Sequence, residues 1–361
     1  MSEAWNIPES WQRAAERILR DDRPVRVMAV GMPDAGKTTF CAFLAEELRR
    51  ADRAVGVVDA DVGQSSLGVP GTISAGRVTQ PIQRLSEVPF QMGYFVGDVS
   101  PTGHMLACLT GARLLADRLR AQGVQAIIID TSGLVKGPSG HELKQRKADL
   151  LRPTHIVLIR KEGELESLAR LWRDRQSFAL IELPPSPAAQ TRSPQERRAR
   201  RAARFRSFFR AARPITLDLS RVRLRSTRLA LGRPLDADTR GRLAEILQQE
   251  VLHAQEDTEG WTIVTPGWLS RPFLMEAARQ LGVNAIHCIP SFRLGGVLCG
   301  LHDNRGRLID VGLLQSIDFD HGRAIVLAPR AEPSQVHTLE LGRVRLAPDG
   351  TELDRLRPGD L

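Results

Sequence analysis

The sequence is poor in cysteine and has no long hydrophobic run, and both absences narrow the class of protein. Its 361 residues include four cysteines, none in a Cys-x-x-Cys pair or at zinc-knuckle spacing, so we expect buried thiols rather than disulfides. The longest apolar runs, such as 126–129, are far shorter than the ~20 residues that cross a bilayer. The first residues carry Glu3, Trp5 and Glu9, which is not the pattern of a signal peptide. We therefore expect a cytoplasmic protein that does not enter a membrane.

Positive charge outweighs negative charge. Lysine and arginine total 51 against 42 acidic residues, which gives a formal net charge of +9. Such a balance indicates an anionic partner, most commonly a nucleic acid. Many of the arginines fall between Arg192 and Arg233. This stretch is interpreted either as a groove that follows a polynucleotide backbone or as a solvated basic face.

Short apolar segments alternate with helical patterns as far as residue 183. Strands are predicted at 25–30, 54–58, 124–129, 155–159 and 178–183. Helices are predicted at 10–20, 37–50, 104–122, 141–151 and 163–173. Strands that are apolar throughout and separated by helices indicate a parallel sheet covered on both faces. A Pro- and Ser-rich loop at 184–195 and an arginine-dense helix at 195–212 follow.

A phosphate-binding loop connects the first predicted strand to the next helix. Residues 31–38 match Gly-x-x-x-x-Gly-Lys-Thr in the expected strand–loop–helix context. The glycines allow backbone N–H groups to surround a phosphate, and Lys37 can reach the β- and γ-phosphates. The motif predicts bound ATP with Mg²⁺, which Thr38 would help to hold. The other nucleotide contacts would come from Gly31, Asp34, Ala35, Gly36 and Thr39.

Carboxylates follow two of the predicted strands. Asp59 and Asp61 alternate after the second strand, so they point to the same side at the edge where an open α/β sheet binds ligands. A kinase needs a carboxylate there to accept or orient the proton of the attacking hydroxyl. Asp130 ends an apolar strand, as the magnesium-binding acid of P-loop proteins does. Residues 130–133 also match the Asp-x-x-Gly switch of GTPases.

The second part of the chain has a different pattern. Helical patterns at 238–252 and 270–281 are mixed with strand-like segments at 261–264, 295–301, 308–317, 324–327 and 338–346. These features predict a smaller α+β or mostly β domain over 215–361. The other predicted parts are an N-terminal helix within 1–24 and a P-loop α/β domain over 25–214, which includes an arginine-rich lid at about 192–212.

Five segments of the chain carry a joint resemblance to one family. They are GMPDAGKTT at 31–39, DADVGQSSLGVPGT at 59–72, FVGDVSPTGH at 95–104, DTSGLVKGPSG at 130–140 and ERRARRAARFRSFF at 196–209. Together they resemble the polynucleotide 5′-hydroxyl kinases of eukaryotic mRNA 3′-end cleavage, tRNA splicing and pre-ribosomal RNA processing. The similarity covers roughly residues 25–212 and becomes looser beyond them. The Asp-x-Asp-x-Gly-Gln motif after a P-loop is quite specific, whereas a P-loop alone would not be.

The resemblance implies roles for the acids and for a clasp that holds the substrate end. Asp61 would act as the base on the 5′-hydroxyl, and Asp59 would lie nearer the metal, as would Asp130. The Thr-x-Gly-Trp clasp of the family reads Thr131-Ser132-Gly133-Leu134 in this chain. Leu134 thus replaces an aromatic residue, and a leucine cannot stack on a base as an indole can.

The resemblance also implies a lid helix whose Arg-x-x-x-Arg pair closes over the phosphates. Arg197 and Arg201 have this spacing and share a helix face, so both could stabilise the transferring phosphoryl group. Lys144, Arg146 and Lys147 are interpreted as surface charges. Contacts with an RNA or DNA 5′-hydroxyl end are expected from Gln64, His104, Thr131, Ser132, Gly133, Leu134, Lys136 and Arg204.

Three functions are compatible with these patterns. The favoured one is an ATP-dependent polynucleotide 5′-hydroxyl kinase. A GTPase or regulatory ATPase fits the Asp-x-x-Gly segment, but the segment 160–163 after a later strand lacks the guanine-recognition sequence of GTPases. A non-catalytic, ATP-binding scaffold for RNA processing fits the leucine in the clasp. The patterns identify no protein partner.

Overall fold

The computed structural model describes residues 7–187, 189–357 and 359–361. Contacts within the described chain divide it into two compact units, which meet in sequence between Arg201 and Ala202. The first six residues of the predicted N-terminal segment, with Glu3 and Trp5, lie outside the described residues. The helix predicted over 10–20 is α1 (Glu9–Leu19).

In the residues that the structure describes, the first unit continues from α1 with seven strands and several helices. The strands are β1 (Val25–Gly31), β2 (Val55–Ala60), β3 (Thr72–Arg77), β4 (Met92–Phe95), β5 (Ala126–Thr131), β6 (His155–Ile159) and β7 (Ala179–Leu183). The helices are α2 (Lys37–Arg50), α3 (Met105–Ala121), α4 (Gly137–Leu151), α5 (Glu166–Arg173) and the start of α6 (Pro194–Phe209).

The seven strands form one sheet in the order β4-β3-β2-β5-β1-β6-β7. The five strands from β2 to β7 in this order are parallel, which confirms the predicted α/β fold. The prediction omitted β3 and β4, which pair antiparallel at one edge. Their sequences explain the omission, because β3 contains Thr72, Ser74 and Gly76 instead of an apolar run and β4 has only four residues.

Successive side chains of a strand point to opposite faces of the sheet, so those of each central strand alternate between two separate hydrophobic cores. On β5, Ile128 packs in the core that includes residues of α1 and α2, such as Trp11 and Phe40. Ile127 and Ile129 pack in the other core, which includes residues of α3, α4 and α5. The sheet is therefore covered on both faces, and its carboxyl edge presents the strand ends that carry the predicted site.

The described part of the second unit contains the rest of α6, two sheets and two further α-helices. The four-stranded sheet has the order β10 (Arg233–Pro234), β11 (His253–Asp257), β12 (Gly260–Thr265) and β13 (Ile286–Pro290). The other sheet has the order β18 (Glu352–Arg355), β17 (Thr338–Leu346), β14 (Val297–His302), β15 (Leu308–Asp318), β16 (Arg323–Ala328) and β8 (Arg213–Asp218), with β9 (Arg223–Arg225) beside β17.

The helices of the second unit are α7 (Ala237–Leu247) and α8 (Arg271–Leu281), and α8 connects the parallel strands β12 and β13. The prediction of an α+β or mostly β domain for this part is confirmed, and most of its strand pairs are antiparallel. Among the described helices of the whole chain, none is long and apolar enough to cross a membrane.

Candidate active site

The phosphate-binding loop lies between the end of β1 and the start of α2. Gly36 precedes the helix with a φ of 94°, a conformation that favours glycine. A β-carbon on Gly31 would lie 2.5 Å from the carbonyl oxygen of Ile159, so this position also has no room for a side chain. The Lys37 ammonium is almost buried and donates a hydrogen bond of 2.8 Å to the carbonyl of Met32, which holds it over the loop.

Helix α1 supports the loop from its other side. A β-carbon on Gly36 would lie 3.1 Å from the ring of Trp11. The Trp11 indole is fully buried, donates a 3.0 Å hydrogen bond to the carbonyl of Pro184, and meets the ring of Phe40 edge-on. The P-loop glycine therefore has a close apolar contact with the N-terminal helix. Ala35 in the loop is buried, whereas Thr39 in the first turn of α2 is exposed.

Two carboxylates lie side by side at the sheet edge next to this loop. Asp59 and Asp130 are paired residues of the neighbouring strands β2 and β5. The Thr38 hydroxyl donates a 2.5 Å hydrogen bond to Oδ2 of Asp130. The other oxygen of Asp130 is buried without a hydrogen-bond partner among the described residues. Burial, and then the Asp59 carboxylate, raise the pKa of Asp130 to about 7.

This donor set fits a hard divalent cation. A hydroxyl and a buried carboxylate oxygen without a partner are ligands that Mg²⁺ accepts, and a cation would offset the repulsion between the two acids. The described residues contain no group of three or more His, Cys, Asp or Glu side chains that could hold a metal by themselves. Such a sparse protein shell is typical of Mg²⁺ that is held jointly with substrate phosphates.

Asp59, the first acid of the pair, also holds the loop that follows β2. Its Oδ2 accepts hydrogen bonds from the hydroxyl of Ser65 and from the backbone N–H groups of Ser66 and Leu67 at 2.6–3.0 Å. Its Oδ1 accepts one from the backbone of Asp61 at 3.2 Å. Asp59 thus organises the loop that follows β2, and its oxygens already have protein partners.

Asp61 lies on this organised loop and is partly exposed. Its Oδ1 accepts backbone hydrogen bonds of 3.0 Å from Gly63 and Gln64. A β-carbon on Gly63 would lie 2.7 Å from the carbonyl oxygen of Val99, so the loop packs closely against the segment after β4. Within the described residues, hydrogen bonds engage only one of the two oxygens of Asp61. The other has no hydrogen-bond partner among them.

The predicted clasp follows Asp130 directly and packs against the P-loop. Thr131 donates a 2.7 Å hydrogen bond from its hydroxyl to the carbonyl of Ala29. Gly133 fits against Pro33, which a β-carbon there would approach to 2.7 Å. The Ser132 hydroxyl is buried and has no hydrogen-bond partner in the described part of the chain. Leu134 is half-buried against the core that includes residues of α3, α4 and α5.

Two lysines interpreted from sequence as surface charges are fully buried, so that interpretation was wrong. The Lys144 ammonium donates to the hydroxyl of Thr131 at 2.8 Å and to the carbonyl of Ser132 at 2.6 Å. The Lys147 ammonium is equally buried and has no hydrogen-bond partner among the described residues. Only Arg146, paired with Glu142 at 2.8 Å, is exposed as predicted.

The helix period could have identified these two lysines. The buried residues of α4 are Gly140, Leu143, Lys144, Lys147, Ala148 and Leu151, which form one stripe at three- and four-residue spacing. Both lysines fall within this stripe, and Arg146 falls outside it. Burial lowers the pKa of both ammonium groups, and that of Lys144 strongly.

The start of the predicted lid is attached to both sides of the site. The P-loop residue Asp34 accepts hydrogen bonds from the guanidinium groups of Arg192 at 2.9 Å and Arg197 at 3.1 Å, and from the backbone N–H of Arg192. The Gln64 side chain donates to the backbone carbonyl of Arg197 at 3.3 Å. The sequence patterns gave no signal for this link between the P-loop, the Asp61 loop and α6.

The remaining predicted contacts are distributed around these elements. Arg201 is half-buried one turn after Arg197 on α6, and Arg204 is half-buried in the part of α6 that belongs to the second unit. His104 precedes α3 with its Nε2 at 3.4 Å from Asp98. Lys136 is exposed directly before α4. The roles of these residues stay predictions.

Fold and site together define a P-loop phosphotransferase: a parallel sheet, a nucleotide-binding loop, and acids at its carboxyl edge. The family model of the mRNA cleavage and polyadenylation factor CLP1 P-loop matches residues 31–211. The polyribonucleotide 5′-hydroxyl-kinase of Thermococcus kodakarensis is 32% identical over 99% of this chain and 98% of its own length. The one of Pyrococcus furiosus is 30% identical over 97% of this chain and 95% of its own length. The chain therefore belongs to this family of kinases.

A solved structure supports the fold independently. The structure of wild-type Clp1p in complex with Pcf11p matches with a TM-score of 0.62 at 13% identity, over 92% of this chain and 77% of that chain. At this identity the likeness concerns the fold alone. It extends over both parts of the chain, including the region after the P-loop unit.

Proposed function

We propose that the protein transfers the γ-phosphate of ATP to the 5′-hydroxyl end of RNA. The observation that carries the proposal is the arrangement at the sheet edge: Asp61, with one free carboxylate oxygen, follows the strand beside the Thr38–Asp130 pair. The near-full-length likeness to proteins named polyribonucleotide 5′-hydroxyl-kinases supports RNA as the acceptor.

The donor side would be the loop 31–38. Its backbone N–H groups and the start of α2 favour the phosphates, and Lys37 would exchange the carbonyl of Met32 for phosphate oxygens. Thr38 and Asp130 would hold Mg²⁺, and Asp59 would complete this environment while fixing the neighbouring loop. When bound, the cation supplies positive charge that offsets the phosphate charge.

The acceptor side would be the loop after β2. The attacking hydroxyl oxygen forms its bond to the γ-phosphorus as the bond to ADP breaks, and its proton passes to the free oxygen of Asp61. The backbone donors of Gly63 and Gln64 keep the other oxygen, and so the whole carboxylate, in place. Arg197 and Arg201 would stabilise the charge of the transferring group.

The experiment that tests this function follows a labelled phosphate. Purified protein is incubated with Mg²⁺, γ-labelled ATP and matched RNA and DNA oligonucleotides that begin with a 5′-hydroxyl. We expect label at the 5′ end of the RNA, and none with the Lys37→Ala variant, because the lysine is needed to hold the phosphates. The ratio of RNA to DNA labelling measures the acceptor preference.

Two other results would contradict the kinase. Phosphate release from GTP without any polynucleotide would favour the GTPase interpretation of residues 130–133. Bound ATP that is never turned over would favour a scaffold, and would identify the clasp with Leu134 as the place where the chemistry was lost. A 5′-phosphorylated RNA serves as the control acceptor, because it offers no hydroxyl to accept the label.

The attachment of the lid through Asp34 leads to a separate prediction. Asp34→Asn keeps the size of the side chain and tolerates the positive φ of 60° at this position, but it removes the charge that pairs with Arg192 and Arg197. We expect kcat to fall about tenfold, since the arginines of the lid are no longer held over the phosphates. Glu142→Gln, which breaks the exposed pair with Arg146, is the matched control. An unchanged kcat in Asp34→Asn would show that the lid does not depend on this contact.

A further inference from the structure

Two exposed aromatic side chains lie together in the second unit. Trp268 is 62% exposed and Phe292 is 49% exposed, and their ring centroids are 6.0 Å apart at an angle of 73°. Trp268 follows β12 and Phe292 follows β13, and these strands are parallel neighbours. The pair thus lies at the carboxyl edge of a β-α-β unit, the edge at which α/β sheets bind ligands.

The indole is held in place although most of it is exposed. The guanidinium of Arg293 lies 5.5 Å from the centre of the Trp268 ring. Arg293 is itself fixed by hydrogen bonds to Asp360 at 2.8 Å and Asp354 at 3.3 Å. A ring that is already oriented loses little conformational freedom when a ligand stacks on it, so this arrangement favours binding.

The surroundings of the pair favour a ligand with flat apolar faces and some negative charge. Residues 260–275 and 284–302, which carry the two rings, contain no aspartate or glutamate, but the charge of Arg293 is balanced by Asp354 and Asp360, so the positive charge on offer is that of Arg271. Arg271 is exposed in the first turn of α8, and Phe273 and Met275 add exposed apolar surface, 37% and 65%. Unpaired nucleic acid combines stacking bases with negative phosphates, and proteins bind it with aromatic rings and basic side chains.

We propose that Trp268 and Phe292 form a stacking platform for the unpaired bases of single-stranded RNA. The choice of RNA rests on the proposed function. Residues 131–134 contain no aromatic ring and cannot provide this stacking, so a platform elsewhere in the chain gives the protein a means of holding the bases of its substrate. Arg271 would contact the phosphates of the same strand.

The test measures RNA binding without turnover. The probe is a fluorescein-labelled, single-stranded 15-nucleotide RNA with a 5′-phosphate, which binds as a product would and cannot be phosphorylated again. We expect the Kd to rise roughly 5- to 100-fold in Trp268→Ala and in Phe292→Ala, which is the usual effect of losing a stacking ring. Trp268→Phe should retain part of the affinity. Ile325→Ala, which truncates another exposed apolar side chain of this unit, should leave the Kd unchanged.

Fluorescence gives a direct second measurement. Among the described tryptophans, Trp11 and Trp172 are fully buried and Trp261 is partly buried, so the exposed Trp268 should give most of the quenching by an unlabelled RNA of the same sequence. Trp268→Phe should lose this part of the quenching. Unchanged Kd values in both alanine variants would overturn the proposal and leave the pair as a contact for a protein partner. RNA binding that depends on Trp268 would support the platform even if no phosphate transfer were detected, so the two proposals fail separately.

Discussion

Replacing Asp61 with asparagine is expected to lower the rate of phosphoryl transfer roughly 10²- to 10⁴-fold, the usual contribution of a positioned general base. Asparagine has nearly the same shape, and its amide oxygen can still accept the backbone hydrogen bonds from Gly63 and Gln64. The loop should therefore keep its conformation, while the group that accepts the proton is lost. Single-turnover transfer from γ-labelled ATP to a 5′-hydroxyl RNA measures the effect on the chemical step.

Asp59→Asn is the contrasting variant, because Asp59 has a different task. An amide cannot accept on both sides, so at least one of the four hydrogen bonds that order residues 61–67 would be lost. We expect Asp59→Asn to lower the thermal stability as well as the activity, whereas Asp61→Asn should unfold at the temperature of the wild type. ATP binding, measured by titration calorimetry, should survive in Asp61→Asn. Near-normal transfer in that variant would remove Asp61 from the role of base.

Much of the first unit could be predicted from sequence because its signals are local. The P-loop spacing, the apolar strands and the acids that follow them depend on neighbouring residues, and the structure has these features where they were expected. Strand β3 was missed because its buried polar side chains, such as Thr72 and Ser74, hydrogen bond to each other in the interior and give no apolar run. Strand β3 is buried because it packs against α3, and the sequence of β3 alone does not show this contact.

The parts of the site that were missed have no periodic sequence pattern. Asp34 and Arg197 are separated by 163 positions, and their ion pair follows from the path of the chain after β7. The spacing of Asp59 and Asp61 predicted that both point to the same side, but not that one of them holds the loop of the other. The hydrogen bonds of Asp59 span only two to eight positions, but they depend on the irregular backbone of residues 61–67, which neither a helix period nor a strand period predicts.

Lys147 is a buried charge whose removal is expected to stabilise the fold. Its ammonium is fully buried, and no described residue accepts a hydrogen bond from it. A buried polar group without a partner costs roughly 1–3 kcal/mol in proteins. Methionine has a similar length and no charge, so Lys147→Met should increase the free energy of unfolding by roughly this amount. Denaturant titration at pH 7 measures the difference.

The stability that Lys147→Met gains over the wild type is expected to decrease as the pH rises. Burial lowers the pKa of Lys147 below its ordinary value of 10.5, so the unfolded state binds more protons than the folded state between the two pKa values. The stability of the wild type therefore rises with pH through this window, and the advantage of Lys147→Met should be largest below it and shrink as the pH approaches 10.5. A gain that stays constant up to pH 10.5 would contradict a charge-based cause.

Lys144 and Arg146 lie on the same helix, α4, and their methionine variants are compared with Lys147→Met. Lys144→Met should destabilise the protein by roughly 1–3 kcal/mol, because the carbonyl of Ser132 and the hydroxyl of Thr131 would lose a buried donor. Arg146→Met should change the stability by less than about 0.5 kcal/mol, since its pair with Glu142 is exposed. If Lys147→Met were also destabilising, its ammonium would have a stabilising partner in solution, such as a buried water molecule, and the fold would depend on both lysines.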